Sequence, residues 1–142
     1  LAGLPGMGKD YYIESRCADM PVVSLDAIRR EHKFSPTDKA ANGWVTQTAK
    51  EQARGYLRKG QDFIWNATNV TRQRRAQLVD LFITYGARVK IVYIEKPYSV
   101  WRRQNGIREY KVPEPVLDAM LDKLEVPRLT EAHEVVYAVQ EQ

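Results

Sequence analysis

Cysteine and histidine are scarce in this chain of 142 residues: one Cys, at position 17, and two His, at 32 and 133. A lone cysteine closes no intrachain disulfide, and no Cys/His spacing of metal-site type surrounds it. Both a secreted disulfide scaffold and a zinc module are therefore disfavoured. Long apolar runs are missing as well. Nothing approaches the roughly 18–20 residues that a membrane span needs, and the N-terminus shows no charged region followed by an apolar one. Low-complexity tracts, Gly/Ser linkers and fixed-period repeats are absent. These absences point to a cytoplasmic protein with no membrane partner, folding as a single domain over residues 1–142. They leave its oligomeric state open.

What remains is an ordinary globular composition, 44% hydrophobic and 28% charged, enough for a core of normal size. Lys and Arg number 22 against 18 Asp and Glu, a net charge of +4. That excess points gently towards a phosphate-bearing partner. The charge is concentrated in Arg72–Arg74–Arg75 and in Arg102–Arg103–Arg108–Lys111, for which a solvated helix surface is the ordinary reading.

Strand-like runs at Pro21–Ser24, Asp62–Asn66, Arg88–Ile94 and Glu134–Val139 alternate with segments of helical spacing. Alternation of this kind predicts βαβ units and a parallel β-sheet sandwiched between helices. From Trp44 to Lys59 the stripe is Val45, Ala49, Ala53, Tyr56 and Leu57, with Gly60 as the stop. From Arg72 to Tyr85 it is Ala76, Val79 and Phe82, with Thr71 as N-cap and Gly86 past the end. Pro115 opens a further helix with Val116, Met120, Leu121 and Leu124 inward, and Pro127 stops it. Residues 33–43 have no apolar period and many turn formers, and are expected to form a loop over a substrate. Trp65 is expected in the core, and His32 and His133 at the surface or in packing.

The strongest local signal opens the chain: Gly3-Leu4-Pro5-Gly6-Met7-Gly8-Lys9-Asp10, followed by a helical Tyr11–Cys17. Glycines at 3, 6 and 8 let successive N–H groups turn onto one anion, and the helix that follows adds its positive end. Lys9 then reaches the outer phosphates of a nucleoside triphosphate. Residues 3 and 5–10 are thus the candidate nucleotide site. Asp10 stands where a neutral Ser or Thr usually binds Mg²⁺; a carboxylate is also a hard oxygen ligand, so Asp10 is the candidate metal ligand. Only Leu1 and Ala2 precede the loop, so the first strand looks truncated and the chain is expected to be part of a longer protein.

Ser24-Leu25-Asp26-Ala27-Ile28-Arg29-Arg30 opens a helix at the end of the second strand, where ligands of parallel sheets bind. Asp26 there can accept a hydroxyl proton, and Arg29, one turn on, can hold an anionic group of the same acceptor. Trp65-Asn66-Ala67-Thr68-Asn69 closes the next strand with amides and a hydroxyl, so Thr68 and Asn69 are candidates for binding the acceptor. The segment Trp101–Pro113, with Arg103 and Arg108, suits a lid that closes over a polyphosphate.

Taken together, GLPGMGKD, SLDAIRR, WNATNVTRQRR, RRQNGIREYKVP and VLDAMLDKLEVPRLTEAHEV resemble the P-loop polynucleotide 5′-kinases, specifically the kinase module of bacterial and phage nucleic-acid end-healing enzymes. The resemblance implies a P-loop kinase fold with an arginine-bearing lid. It implies Mg²⁺ with ATP or GTP as donor, and transfer of the γ-phosphate to a DNA or RNA 5′-hydroxyl in nucleic-acid repair. Lys9, Asp26 and Arg108 are its implied catalytic residues: Lys9 on the donor phosphates, Asp26 as general base and Arg108 in the lid. Arg29 would meet the acceptor's 3′-phosphate. Gln104 stands where the family often has another lid arginine, and the companion end-processing domain is absent from the chain. Two alternatives stand beside this expectation: a P-loop kinase of a small hydroxyl metabolite, and a module that binds nucleotide without transfer.

Overall fold

The computed structural model describes residues 1–4, 7–34, 38–96, 100–101, 103 and 114–139. Along the chain lie α1 (Lys9–Arg16), β1 (Val22–Ser24), α2 (Leu25–Glu31), α3 (Lys39–Arg58), β2 (Ile64–Asn66), α4 (Arg72–Thr84), β3 (Lys90–Glu95), α5 (Glu114–Lys123) and β4 (Glu134–Val139). They form two compact units, one of Leu1–Ala18 with Thr68–Gln142 and the other of Asp19–Ala67.

In the first unit β3 pairs in parallel with β4, Lys90 opposite Glu134 through Glu95 opposite Val139. The segment entering the glycine-rich turn runs parallel to β3 on its other edge. Ala2 donates to the Val92 carbonyl at 2.8 Å, and Ile94 donates to the Ala2 carbonyl at 2.9 Å. β3 has a strand on each edge, and its Ile91–Ile94 run is buried without alternation, as expected of a parallel strand covered on both faces. Leu4, Met7, Val92, Ile94, Trp101 and Leu117 form the core of this unit.

In the second unit β1 and β2 pair in parallel, with Val23 opposite Trp65 and Ser24 opposite Asn66. Trp65 is buried, as its place in a strand predicts. Val45, Ala49 and Ala53 form the fully buried stripe of α3, and α3 packs on α2. Among the described residues every strand pairing is parallel.

The predicted punctuation holds at several ends. Thr71 caps α4 by accepting the Arg74 N–H at 3.3 Å, and Gly60 and Gly86 take positive φ values of 65° and 82° just past α3 and α4. Three expectations need correction. The helix predicted from Trp44 begins at Lys39, because Asp38 accepts the Ala41 N–H at 3.1 Å and Ala40 and Ala41 continue the turn. The loop read over 33–43 is correspondingly shorter. On α4 Ala76 is exposed and Arg75 lies in the buried stripe with Leu78, Val79 and Phe82. On α5 the fully buried residue is Leu117, whereas Leu121 is 38% exposed. No helix among the described residues is long and apolar enough to cross a membrane.

Arg75 enters the core because its charge is fully matched. Its Nε donates to Glu131 Oε1 at 2.7 Å and its Nη1 to the Asn69 carbonyl at 2.8 Å. Glu131 Oε2 accepts the Arg128 N–H at 2.7 Å. Burial alone would push the Glu131 carboxyl up. The hydrogen bonds from Arg75 and Arg128 and the charges of Arg75 and Arg72 outweigh it and hold the group below its ordinary value of 4.5. This contribution to stability is complete above the ordinary value and fades as pH falls through the lower folded-state value. Glu131→Gln should therefore cost about 3 kcal/mol at neutral pH, by stranding the Arg75 guanidinium. Urea melts from neutral pH down to about pH 3 should show a flatter acid limb for the variant; parallel limbs would count against the pairing.

Candidate active site

The glycine-rich turn leaves its strand under tight contact. Gly3 is extended (φ 159°), and a Cβ there would lie 2.7 Å from the Ile94 carbonyl oxygen, so only glycine lets this backbone lie flat against β3. Its N–H donates to the Thr68 carbonyl at 2.9 Å. Gly8 has φ 102°, a conformation that side chains disfavour, and serves as N-cap of α1. Lys9 turns back over the loop, its Nζ donating to the carbonyls of Gly3 at 2.9 Å and Leu4 at 3.1 Å. The ammonium is thus held at the turn itself rather than out along α1. Asp10 follows on the exposed first turn of α1. Met7 faces inward, its Sδ accepting the Lys96 N–H at 3.1 Å, so its side chain packs in the core rather than lining the turn.

In the second unit Ser24 accepts the Ala27 N–H at 3.2 Å, and this cap opens α2 at the end of β1. Asp26 and Arg29 come together as predicted. Arg29 Nη1 donates to Asp26 Oδ1 at 2.6 Å, and Arg29 Nε donates to Asn42 Oδ1 on α3 at 2.8 Å. The Arg29 side chain is only 19% exposed while Asp26 is 62% exposed, so the guanidinium is fixed and the carboxylate is accessible. An exposed carboxylate steadied by a fixed cation can orient a hydroxyl and take its proton.

The family model of the AAA domain matches residues 1–127. The chain belongs to the AAA domain family. The fold is an α/β P-loop kinase-like one of parallel strands and helices, as expected, and the narrower likeness to polynucleotide 5′-kinases is not what the family match shows. Among solved structures it is similar to a sugar kinase from Janibacter sp. HTCC2649, at 17% identity and TM-score 0.69, covering 97% of this chain and 82% of that one. It is also similar to a protein provisionally assigned as a kinase from Chloroflexus aurantiacus j-10-fl, at 14% identity and TM-score 0.74, covering 97% and 81%. No curated protein matches the chain.

Other predicted positions of this AAA domain chain divide. Thr68 is half-buried and meets the turn through its backbone carbonyl. Asn69 is buried, with φ 47° and its Nδ2 donating to the Leu1 carbonyl at 2.7 Å, which ties it to the strand before the turn. Arg103 is exposed. Pro5, Gly6, Gln104 and Arg108 lie outside the described residues. His133 Nδ1 accepts the Val89 N–H at 2.9 Å, and His32 packs with Phe34 and Trp44. No cluster of three His, Cys, Asp or Glu suited to a metal occurs among the described residues.

Two residues beside the candidate groups, one in each unit, escaped sequence reasoning. Asn42 lies in the stretch read as loop, and only its place on α3 brings it to Arg29. Lys96 lies against Gly8: a Cβ at Gly8 would be 3.2 Å from Lys96 Cε. A lysine just past the C-terminal end of a parallel strand was the available signal for it.

The glycine contacts make a paired test. Gly3→Ala should destabilise the protein by about 1–3 kcal/mol, since backbone meets backbone and neither can yield. Gly43→Ala, in α3 with nothing within 4 Å of the added Cβ, should stabilise it by about 0.5–1 kcal/mol. Chemical denaturation of both variants measures the contrast, and equal effects would argue against the close approach at Gly3.

Proposed function

We propose that the chain is a nucleoside-triphosphate-dependent phosphotransferase of the P-loop kinase type, acting on a hydroxyl group. The observation that carries this is the glycine-rich turn with Lys9 folded over it, set between a parallel strand and the start of α1. Backbone N–H groups and the ammonium of that turn take the donor's phosphates. The acceptor hydroxyl attacks the γ-phosphorus, the bond to the β–γ bridging oxygen breaks, and the hydroxyl proton passes to the Asp26 carboxylate. Arg29 occupies Asp26 Oδ1, which leaves Oδ2 to take that proton. Lys9 offsets the charge that develops on the transferring group, and Arg103 and Arg108 are assigned to the donor's polyphosphate.

The arrangement fits Mg²⁺ as it is usually held in such sites, by one or two carboxylates together with substrate phosphates and water. Asp10, exposed on the first turn of α1 next to Lys9, would supply the protein oxygen, and the ion would neutralise charge between the β- and γ-phosphates.

For the acceptor, a small hydroxyl compound is the first reading, supported by the similarity of fold to a sugar kinase. A nucleic-acid 5′-hydroxyl end is the second. It is favoured by the fixed Arg29 guanidinium, which suits an acceptor carrying its own phosphate, and by the resemblance of the motif order to polynucleotide 5′-kinases.

Labelled ATP and GTP offered with a panel of sugars, nucleosides, 3′-nucleotides and 5′-hydroxyl DNA and RNA oligonucleotides distinguish the readings. Asp26→Asn should lower transfer to the preferred acceptor by about 10²–10⁴ while nucleotide binding persists. Normal transfer by that variant eliminates the assigned base. Nucleotide binding with no labelled product from any acceptor would leave a binding module in place of an enzyme.

A further inference from the structure

Lys96 follows the last residue of β3, and its backbone N–H is anchored on the buried Met7 Sδ at 3.1 Å. From that anchor the side chain runs beside Gly8. Its Cε comes within 3.2 Å, and its Nζ within 3.6 Å, of the place a Cβ on Gly8 would occupy. Glycine at position 8 thus does two things: it takes the φ of 102° that starts α1, and it leaves the lysine stem where it lies, which a Cβ would crowd by a few tenths of an ångström. Two ammonium groups consequently belong to the turn, Lys9 from α1 and Lys96 from the end of β3.

The second ammonium answers a charge problem specific to this loop. Phosphate loops usually pair one lysine with a neutral hydroxyl residue. Here Asp10 adds a negative charge next to Lys9, which would weaken the hold on a polyanion by Coulomb repulsion across a few ångströms. Adding Lys96 brings the three side chains to +1 + 1 − 1 = +1, the sum that a single lysine beside a serine has. A lysine ammonium is a compact point charge on a flexible stem, suited to following a phosphate without fixed geometry.

We infer that Lys96 is a second phosphate-binding cation of the glycine-rich turn, acting on the polyphosphate of a nucleoside triphosphate and offsetting Asp10. The inference rests on the proposed nucleotide-binding role of the turn, and it adds a residue to that site.

Calorimetry of ATP and of adenosine with the full chain, without Mg²⁺ so that the Asp10 carboxylate keeps its charge, tests it. Lys96→Gln should weaken ATP binding about tenfold, the size of one charge-assisted contact, and leave adenosine unchanged. Lys96→Arg should stay within about threefold of the natural protein, because it keeps the charge. Lys96→Gln combined with Asp10→Ser should recover part of the loss, since the repulsion that Lys96 offsets is then gone. The ratio of ATP to adenosine affinity is read within each variant, so a smaller folded fraction cancels. An unchanged ratio in Lys96→Gln, in a protein whose natural form binds ATP, overturns the role of Lys96 and leaves the proposed function standing. Equal weakening of ATP and adenosine overturns it too, as the mark of a merely structural lysine. Where the natural protein binds GTP instead, the same comparison is made with GTP and guanosine; failure to bind either triphosphate removes the proposed function, and this inference with it.

Discussion

The carbonyl oxygen of Ile94 leaves no space for a side chain on the strand beside it, and the architecture of the first unit follows from that crowding. Gly3 accepts the contact, so Ala2 can exchange two hydrogen bonds with β3 and the chain can leave the sheet as a turn rather than as a longer strand. Thr68 secures the same residue from another direction, through the Gly3 N–H. Lys9 then has carbonyl oxygens of Gly3 and Leu4 within reach. The position of the ammonium is therefore inherited from backbone packing several residues earlier.

Much of this was visible in the sequence where one residue type has one physical job. Gly3 and Gly8 of the turn, the cap at Thr71, the stops at Gly60 and Gly86 and the shared face of Asp26 and Arg29 are local, and spacing alone reveals them. What escaped depends on contacts far along the chain. Arg75 looks like solvated charge until Glu131, distant in sequence, is seen to bury it, and Ala76 looks like core for the same reason. Asn42 and Lys96 are polar residues in unremarkable stretches, brought to Arg29 and to Gly8 respectively only by α3 and β3. The start of α3 was misjudged because Asp38 reads equally well as a turn residue and as an N-cap.

The polar groups of the two units are constrained to differing degrees, and the difference matches the work assigned to each. Arg29 is held at two donors and shielded from water, which suits recognition, where a fixed geometry discriminates between acceptors. Asp26 is accessible, which suits a group that must meet a hydroxyl. Lys9 is held through its ammonium on the carbonyls of Gly3 and Leu4 and Lys96 lies against Gly8, and a compact charge on a long stem suits neutralising a phosphate whose charge moves during transfer.

Trp101 is completely buried, packed with Leu4, Met7 and Leu117, while Arg103 two residues later is exposed. An indole locked in the interior thus fixes where the backbone carrying Arg103 leaves the core. Reshaping the aliphatic bed in which that indole sits would therefore shift the exposed guanidinium without altering any charge.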